Sequence, residues 1–442
     1  MVIERHESRL TRRSTRTLDN VTHSFFGALV AEVLADPLVP DASRAGLGGA
    51  AASSGAARAP TASERNSPGR TLALFTSILS NNLPDFDFVY RNITSGRLGY
   101  LLHHRGHTHT VPGALALGAL AFVIAWGWTA LRGKALSRSE RRVLAVLAFA
   151  GPFLHIALDY GNNYGVHPFW PVDEAWFYGD TIFIVEPLLW AAAVPPLLLL
   201  AEARWTRLLL LGVFCSGLLI AGPRGLSVGS IAVIVGAFGA VHLACLKSRP
   251  ARRAWLGLGT WLAVTAAFAI EGRAARAHAL AVSQAHFPTT RVVDIVTTPR
   301  PANPFCWSAL LVGSDGARYV VRRARVSTAP WQASCTPLDG STATAPLRIL
   351  ALEDRGVLVD REFSAPLEEL RELERKDCRV AAFLRYARAP YWTFEDGGMV
   401  VGDLRFDRSR ALDFTDIPLS RLNAACPRHV PPWKPPRSDL LE

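Results

Sequence analysis

A series of long apolar runs between residues 111 and 270, flanked on both sides by stretches of ordinary soluble composition, constrains this chain more than any other feature. Crossing the hydrocarbon core of a bilayer takes about 20 apolar residues at a rise of ~1.5 Å each. Segments 111–131, 143–160, 182–201, 226–246 and 254–270 read as spans of that kind, and 208–222 is shorter but wholly apolar. Two more helices, expected over 22–35 and 71–83, are too short to span comfortably and read as elements packed on the bundle. Between them 36–70, rich in Ala, Gly, Ser, Pro and Arg, reads as a flexible loop. The first twenty residues lack an apolar stretch, so insertion is assigned to internal helices rather than to a secretory signal.

After residue 271 the pattern changes to short alternating runs, Arg291–Thr297, Ser308–Val312, Tyr319–Val326, Leu347–Leu352 and Met399–Phe406, separated by turn residues. One amphipathic helix is expected over about 365–385, with Pro366 near its start. The chain is therefore expected to be mainly α, a multi-pass transmembrane helical bundle over 1–270 followed by a soluble β-rich (α+β) domain over 271–442. Cys215 and Cys245 fall in apolar runs. Cys306, Cys335, Cys378 and Cys426 lie in the soluble part without CxxC spacing, which disfavours a zinc ribbon and suits two disulfides on an oxidising side.

A net charge of +11 could suggest nucleic acid, but the cations sit mainly in short loops and no nucleic-acid motif accompanies them, so none is expected as a partner. Arg132, Lys134, Arg138, Arg141 and Arg142 follow the first long run; Arg204 and Arg207, then Lys247, Arg249, Arg252 and Arg253, mark two further turns, whereas 161–180 has no Lys or Arg. Positive loops stay in the cytoplasm. Loops 85–110 and 161–180, and everything after 271, are then expected outside, although the basic N-terminal tail pulls the other way if 22–35 is a full span.

Four polar clusters interrupt the apolar chain: Thr22-His23-Ser24; Asn81-Asn82-Leu83-Pro84-Asp85-Phe86-Asp87; the run from His103 to Thr110; and His155-x3-Asp159 followed by Tyr160 to Gly165. His155 and Asp159, four apart, share one helix face. They end a run that begins at the basic loop, while the His103–Thr110 run precedes one that ends there, so both lie on one membrane face. The Asp85 cluster can reach the same place, and Asp180 and Glu186 return to it. A single intramembrane His is ordinarily an interhelical hydrogen-bonding residue, but convergence of several segments favours a metal site. Imidazoles and carboxylates are the ligand set of Zn²⁺, Mn²⁺ or Fe²⁺, and a bound metal offsets the cost of ionisable groups at bilayer depth. Water on such a metal becomes a nucleophile near neutral pH, and Arg105 could hold an anionic group such as a phosphate.

Taken together, Thr22-His23 with Gly27, Leu83-Pro84-Asp85-x-Asp87, His104-Arg105-Gly106-x-Thr108-His109-Thr110, and His155-x3-Asp159 with Asn163-Tyr164-Gly165 resemble the membrane-bound metal-dependent hydrolase family of YdjM-like proteins. The resemblance continues through Tyr178-Gly179-Asp180 to Glu186-Pro187, covering roughly 20–200. Asn303-Pro304-Phe305-x-Trp307 and Asp403-Leu404-Arg405-Phe406 are similar to the tail of longer members. It implies a bacterial inner-membrane protein whose polar positions fall on His23, Asp85, Asp87, His104, Arg105, His109, His155 and Asp159. The expected ligands are His23, His104, His109, His155 and Asp159, with zinc the first choice of divalent ion. Asp85 or Asp87 would be a further ligand or the general base, and Arg105 the anion clamp. His103 and His107 lie beside the pattern. The expected partners are the lipid bilayer and a membrane-associated ester or phosphoester. A transporter with a polar permeation path, or a non-catalytic scaffold, are the alternative readings.

Overall fold

The computed structural model describes residues 19–34, 68–94, 96–221, 226–329, 335, 344–395, 398–407, 412–419 and 425–441. Most of the loop expected over 36–70 lies outside them. The helical part contains α1 (19–34), α2 (Pro68–Asn82), α3 (Gly96–His103), α4 (Val111–Leu131), α5 (Arg138–Tyr160), α6 (Pro187–Leu200), α7 (Arg204–Ala221), α8 (Val228–Leu246) and α9 (Pro250–His286). Among the described residues α4, α5, α8 and α9 are long and apolar enough to cross a membrane.

Local chemistry sets the ends of these helices. Thr110 caps α4 by accepting from Gly113 N–H at 3.0 Å, and Ser137 with Glu140 forms a capping box on α5. The run expected to span over 182–201 behaves differently. Its helix begins only at Pro187, because Glu186 caps it by accepting from Leu188 N–H at 3.0 Å. The 14-residue α6 is buried on nearly every side, so its all-round apolarity reflects a place inside the bundle rather than contact with lipid.

Small residues bring α1, α2 and α5 into close contact, as is usual where helices associate in lipid. A Cβ on Gly151 of α5 would lie 2.0 Å from Ser80 Oγ of α2, and one on Gly27 of α1 would lie 3.0 Å from the Asn81 side chain. Ser77 Oγ donates to Gly27 O at 2.7 Å, and Ser80 Oγ to Leu147 O at 2.9 Å. The consequence is positional: the C-terminal end of α2 is brought against α5, where Asn81 O meets His155 Nδ1 at 2.6 Å, and against Gly27 of α1. At the opposite end of the bundle Arg70 pairs with Glu32 at 2.6 Å and donates to Leu200 O, while Arg253 donates to Leu199 O. The basic loops after α4, α6 and α8 belong to this end.

Helix α9 leads into an antiparallel sheet of order β1-β2-β3-β5-β4, formed by β1 (Arg291–Arg300), β2 (Asn303–Ser314), β3 (Arg318–Ser327), β4 (Arg348–Asp354) and β5 (Val357–Pro366). Trp307 of β2 packs directly on Gly272 of α9, leaving no room there for a side chain. A second sheet contains β6 (Pro390–Glu395), β7 (Gly398–Asp403) and β8 (Ile417–Leu419). The chain is thus a helical membrane bundle followed by a β-rich α+β region. The helix expected over 365–385 is two helices, α10 (Leu367–Lys376) and α11 (Cys378–Leu384). Asp377 separates them, its backbone extended and its carboxylate capping α11 through Arg379 N–H. β5 and β6 had no clear alternation to announce them; the polar Asp360-Arg361-Glu362 stretch of β5 is held by cross-strand pairs such as Arg322–Glu362 at 2.7 Å. Cys306 is bonded to Cys335 and Cys378 to Cys426, and Cys215 and Cys245 are free.

The β-rich region sits on the same end of the bundle as the polar clusters. Trp433 Nε1 donates to Leu102 O at 2.8 Å, and Arg97 donates to the carbonyls of Asp413 and Asp416. Arg388 holds Asp180 with both terminal nitrogens, at 2.8 and 2.9 Å, and reaches Asp294 of β1 at 2.7 Å.

Candidate metal centre

Two helical segments and one turn supply the site. Pro84 closes α2 and turns the chain into a 3-10 helix, Leu83–Val89, that carries Asp85 and Asp87. His109 ends a short 3-10 turn, His107–His109, held at the start of α4 by Thr110 Oγ1 donating to His107 O at 2.8 Å. Gly113 allows this approach, since a Cβ there would stand 2.2 Å from His107 O. α5 supplies His155 and Asp159 from one face, both buried.

Four ligand atoms converge. His109 Nε2 lies 3.1 Å from His155 Nε2, 3.1 Å from Asp159 Oδ2 and 3.6 Å from Asp85 Oδ1. His155 Nε2 lies 3.3 Å from Asp159 Oδ2 and 3.5 Å from Asp85 Oδ1. Ligands bound at about 2.0–2.1 Å around a tetrahedral ion stand about 3.3–3.4 Å apart. Five of the six edges of such a tetrahedron are therefore present at 3.1 to 3.6 Å. The donor set fits a divalent ion in a second way: Asp159 Oδ2 is buried and accepts no hydrogen bond, a costly state for a carboxylate oxygen unless a cation meets it.

The imidazoles are oriented from behind. His155 Nδ1 is 2.6 Å from Asn81 O, and His109 Nδ1 is 3.0 Å from Thr108 Oγ1. A carbonyl can only accept, so His155 Nδ1 donates to it, and the neutral ring then turns its Nε2 lone pair to the cluster.

Around this tetrad lies a second layer. His23 stacks on His155 with ring centroids 3.8 Å apart, and its Nε2 is 3.4 Å from Asp159 Oδ1 and 3.6 Å from Asp19 Oδ1. Asp19, His23 and Asp159 form a second group whose ligand atoms are mutually close. Arg105, at φ 61° and fully buried, binds Asp159 at 2.8 Å and Asp19 at 3.1 Å through Nη2 and Asn162 at 2.8 Å through Nη1. Expected to hold an anion from outside, Arg105 has its terminal nitrogens committed to groups of the protein.

The other expected residues are distributed as follows. His104 stands apart from the tetrad, with Nδ1 3.2 Å from Asp87 Oδ2. Asp87 also accepts from Arg105 N–H at 2.9 Å, and so acts on the turn that presents His104 and Arg105. His103 Nε2 meets Thr94 Oγ1 at 2.9 Å, and His107 packs against Trp170 and Trp433. Asp180 belongs to Arg388, and Glu186 accepts from Ala302 N–H at 3.1 Å; both join the bundle to the β-rich region rather than the cluster. Asp19 escaped the sequence reading, although it stands four residues before His23, the same spacing that marks His155 and Asp159. Asn162 and Arg405 were not singled out for the site either. Arg405 donates to Asn163 O at 2.8 Å and so braces the turn on which Tyr164 covers Arg105.

These features define an integral membrane protein with a buried His/Asp cluster able to hold a divalent ion. Residues 18–227 match the model of the YdjM inner membrane protein family, so the part of the chain from α1 through α7, which carries the cluster, is similar to that family. The match and the apolar helices fit a protein of the bacterial inner membrane. No curated protein and no solved structure matches the chain.

Proposed function

We propose that this protein is a membrane-bound metal-dependent hydrolase of an ester or phosphoester presented by the membrane. The observation that carries the reading is the tetrad of Asp85, His109, His155 and Asp159 at tetrahedral edge distances, with Asp159 Oδ2 otherwise unpartnered. A bound divalent ion, zinc the first choice, would supply a water of lowered pKa and polarise the scissile group. His109, His155 and Asp159 would hold the ion. Asp85, at 12% exposure the most open member, would complete the ligand set or take the proton from the attacking water. Arg105 and His23 keep Asp159 in place, and Asp87 positions the 104–105 turn.

Several features support an external site. The basic loops gather at the bundle end opposite the cluster, which by loop charge is the cytoplasmic end. The β-rich region beside the cluster carries two disulfides, which suit an oxidising compartment. A transport path is disfavoured because the cluster lies at the helix ends rather than midway along the spans.

Metal analysis of the detergent-purified full chain tests the reading. Wild type is expected to hold a transition metal and to cleave lipid-like phosphoesters, and the His155→Ala/Asp159→Ala variant to do neither. Wild-type protein without metal would sink it; metal retained without any esterase or phosphoesterase activity would leave a scaffold.

A further inference from the structure

The one member of the tetrad with appreciable exposure, Asp85 at 12%, lies among apolar side chains. His23, Arg105, His109, His155 and Asp159 are all within 1% of complete burial, and the β-rich region covers the turn at Tyr164 through Arg405. Asp85 is the member with an open edge, and the 3-10 helix that carries it has an unusual surface. Residues three apart in such a helix stand one above the other. Pro84 and Asp87 point inward, and Phe86 and Val89 outward at 51% and 70% exposure. Phe88 stands above Asp85 at the same edge, also 51% exposed, and its ring packs on Phe86 at 5.5 Å. Ile93, 51% exposed, extends the patch through the next turn. α4, long and apolar enough to cross a membrane, begins at Val111, two residues after His109, so the patch adjoins the end of a candidate span. Arg91 sits between Val89 and Ile93 without a carboxylate partner among the described residues, its guanidinium 6.0 Å from the Tyr100 ring that stacks on His104.

We propose that the segment 83–93 is a lateral entrance, through which a lipid with a phosphate headgroup slides from the surrounding leaflet to Asp85. Its acyl chain lies along Phe86, Phe88, Val89 and Ile93, and Arg91 meets the phosphate. An apolar rim with one cation is the surface an amphiphile with an anionic head requires, whereas a water-soluble substrate gains nothing from four exposed apolar side chains beside a charged cluster. The inference rests on the site reading given above and narrows its substrate to a resident of the bilayer.

The test needs no turnover. The full chain is reconstituted in phosphatidylcholine nanodiscs containing a phosphatidic acid with a photoactivatable diazirine in one acyl chain, and adducts are mapped by mass spectrometry. Adducts are expected to concentrate on 83–93, and unlabelled phosphatidic acid to displace the probe at least about tenfold better than unlabelled phosphatidylcholine. Phe86→Ser/Phe88→Ser should deplete those adducts while retaining bound metal, which reports an intact cluster. Arg91→Gln should abolish the preference for phosphatidic acid. Adducts spread evenly over the lipid face of α4 at Leu120 and Val123, no headgroup preference, or a second copy of the chain shielding 83–93 would each overturn the proposal. A wild type without metal or activity would remove the hydrolase reading and leave the adduct pattern to decide this one.

Discussion

Thr108→Val separates a metal centre from a buried hydrogen-bonded network. The substitution keeps shape and removes the hydroxyl that stands 3.0 Å from His109 Nδ1. It leaves all four tetrad side chains in place, 3.1 to 3.6 Å apart across the five measured edges. What changes is the group that orients the imidazole and sets which nitrogen faces the cluster. Loss of such a partner typically weakens a metal site by about 10- to 100-fold, or roughly 1.4 to 2.8 kcal/mol. A ligand that binds only the folded chain stabilises it by about 2.7 kcal/mol at ~100 times its Kd, and by about 1.4 kcal/mol once Kd has risen tenfold. The metal-dependent gain should therefore fall to about half or less. Chelator competition gives the affinity, and tryptophan fluorescence during thermal unfolding, with and without added Zn²⁺, gives the stabilisation. A variant that binds metal as tightly as wild type, or a wild type that no divalent ion stabilises, refutes the argument.

Two further outcomes follow from charge. Burial pushes the Asp294 carboxyl up, but Arg388, helped by Arg437 and Arg276, outweighs it and holds the group at about 2. A carboxylate depressed in the folded state adds stability that is complete above its unfolded pKa and lost as pH falls through the folded value. The wild type should lose about 2 kcal/mol between roughly pH 4 and pH 2 through this group, and Asp294→Asn should lack that part of the acid slope in pH-dependent urea unfolding. For orientation, Ser137→Cys, in the exposed turn before α5, should react with an impermeant maleimide only after the inner membrane is opened; labelling of intact spheroplasts would reverse the assigned sides.

The sequence alone determined the bundle, because span length and loop charge are local properties that lipid reads directly. It also placed His155 and Asp159 side by side, since a four-residue spacing on a helix leaves them no choice of face. It could not decide between His104 and His109: they sit on turns without a period, and one Gly at position 113 lets the chain bring His109 inward while His104 turns to Asp87. Nor could it separate Asp85 from Asp87. In the folded chain Asp85 faces His109 and His155, whereas Asp87 accepts from the Arg105 backbone N–H.

The tertiary structure also decided what supports the ligands. Asn81 O reaches His155 because Gly151 lets α5 close on Ser80, a through-space contact between residues far apart in the chain. The fates of Arg105, Asp180 and Glu186 were set likewise, by partners on other segments: Asp19 and Asn162 for the first, Arg388 and Ala302 for the others. A charged side chain in a sequence shows that it must be compensated. Only packing, which decides what else is buried with it, shows whether its counter-charge is a metal, a ligand or another part of the same chain.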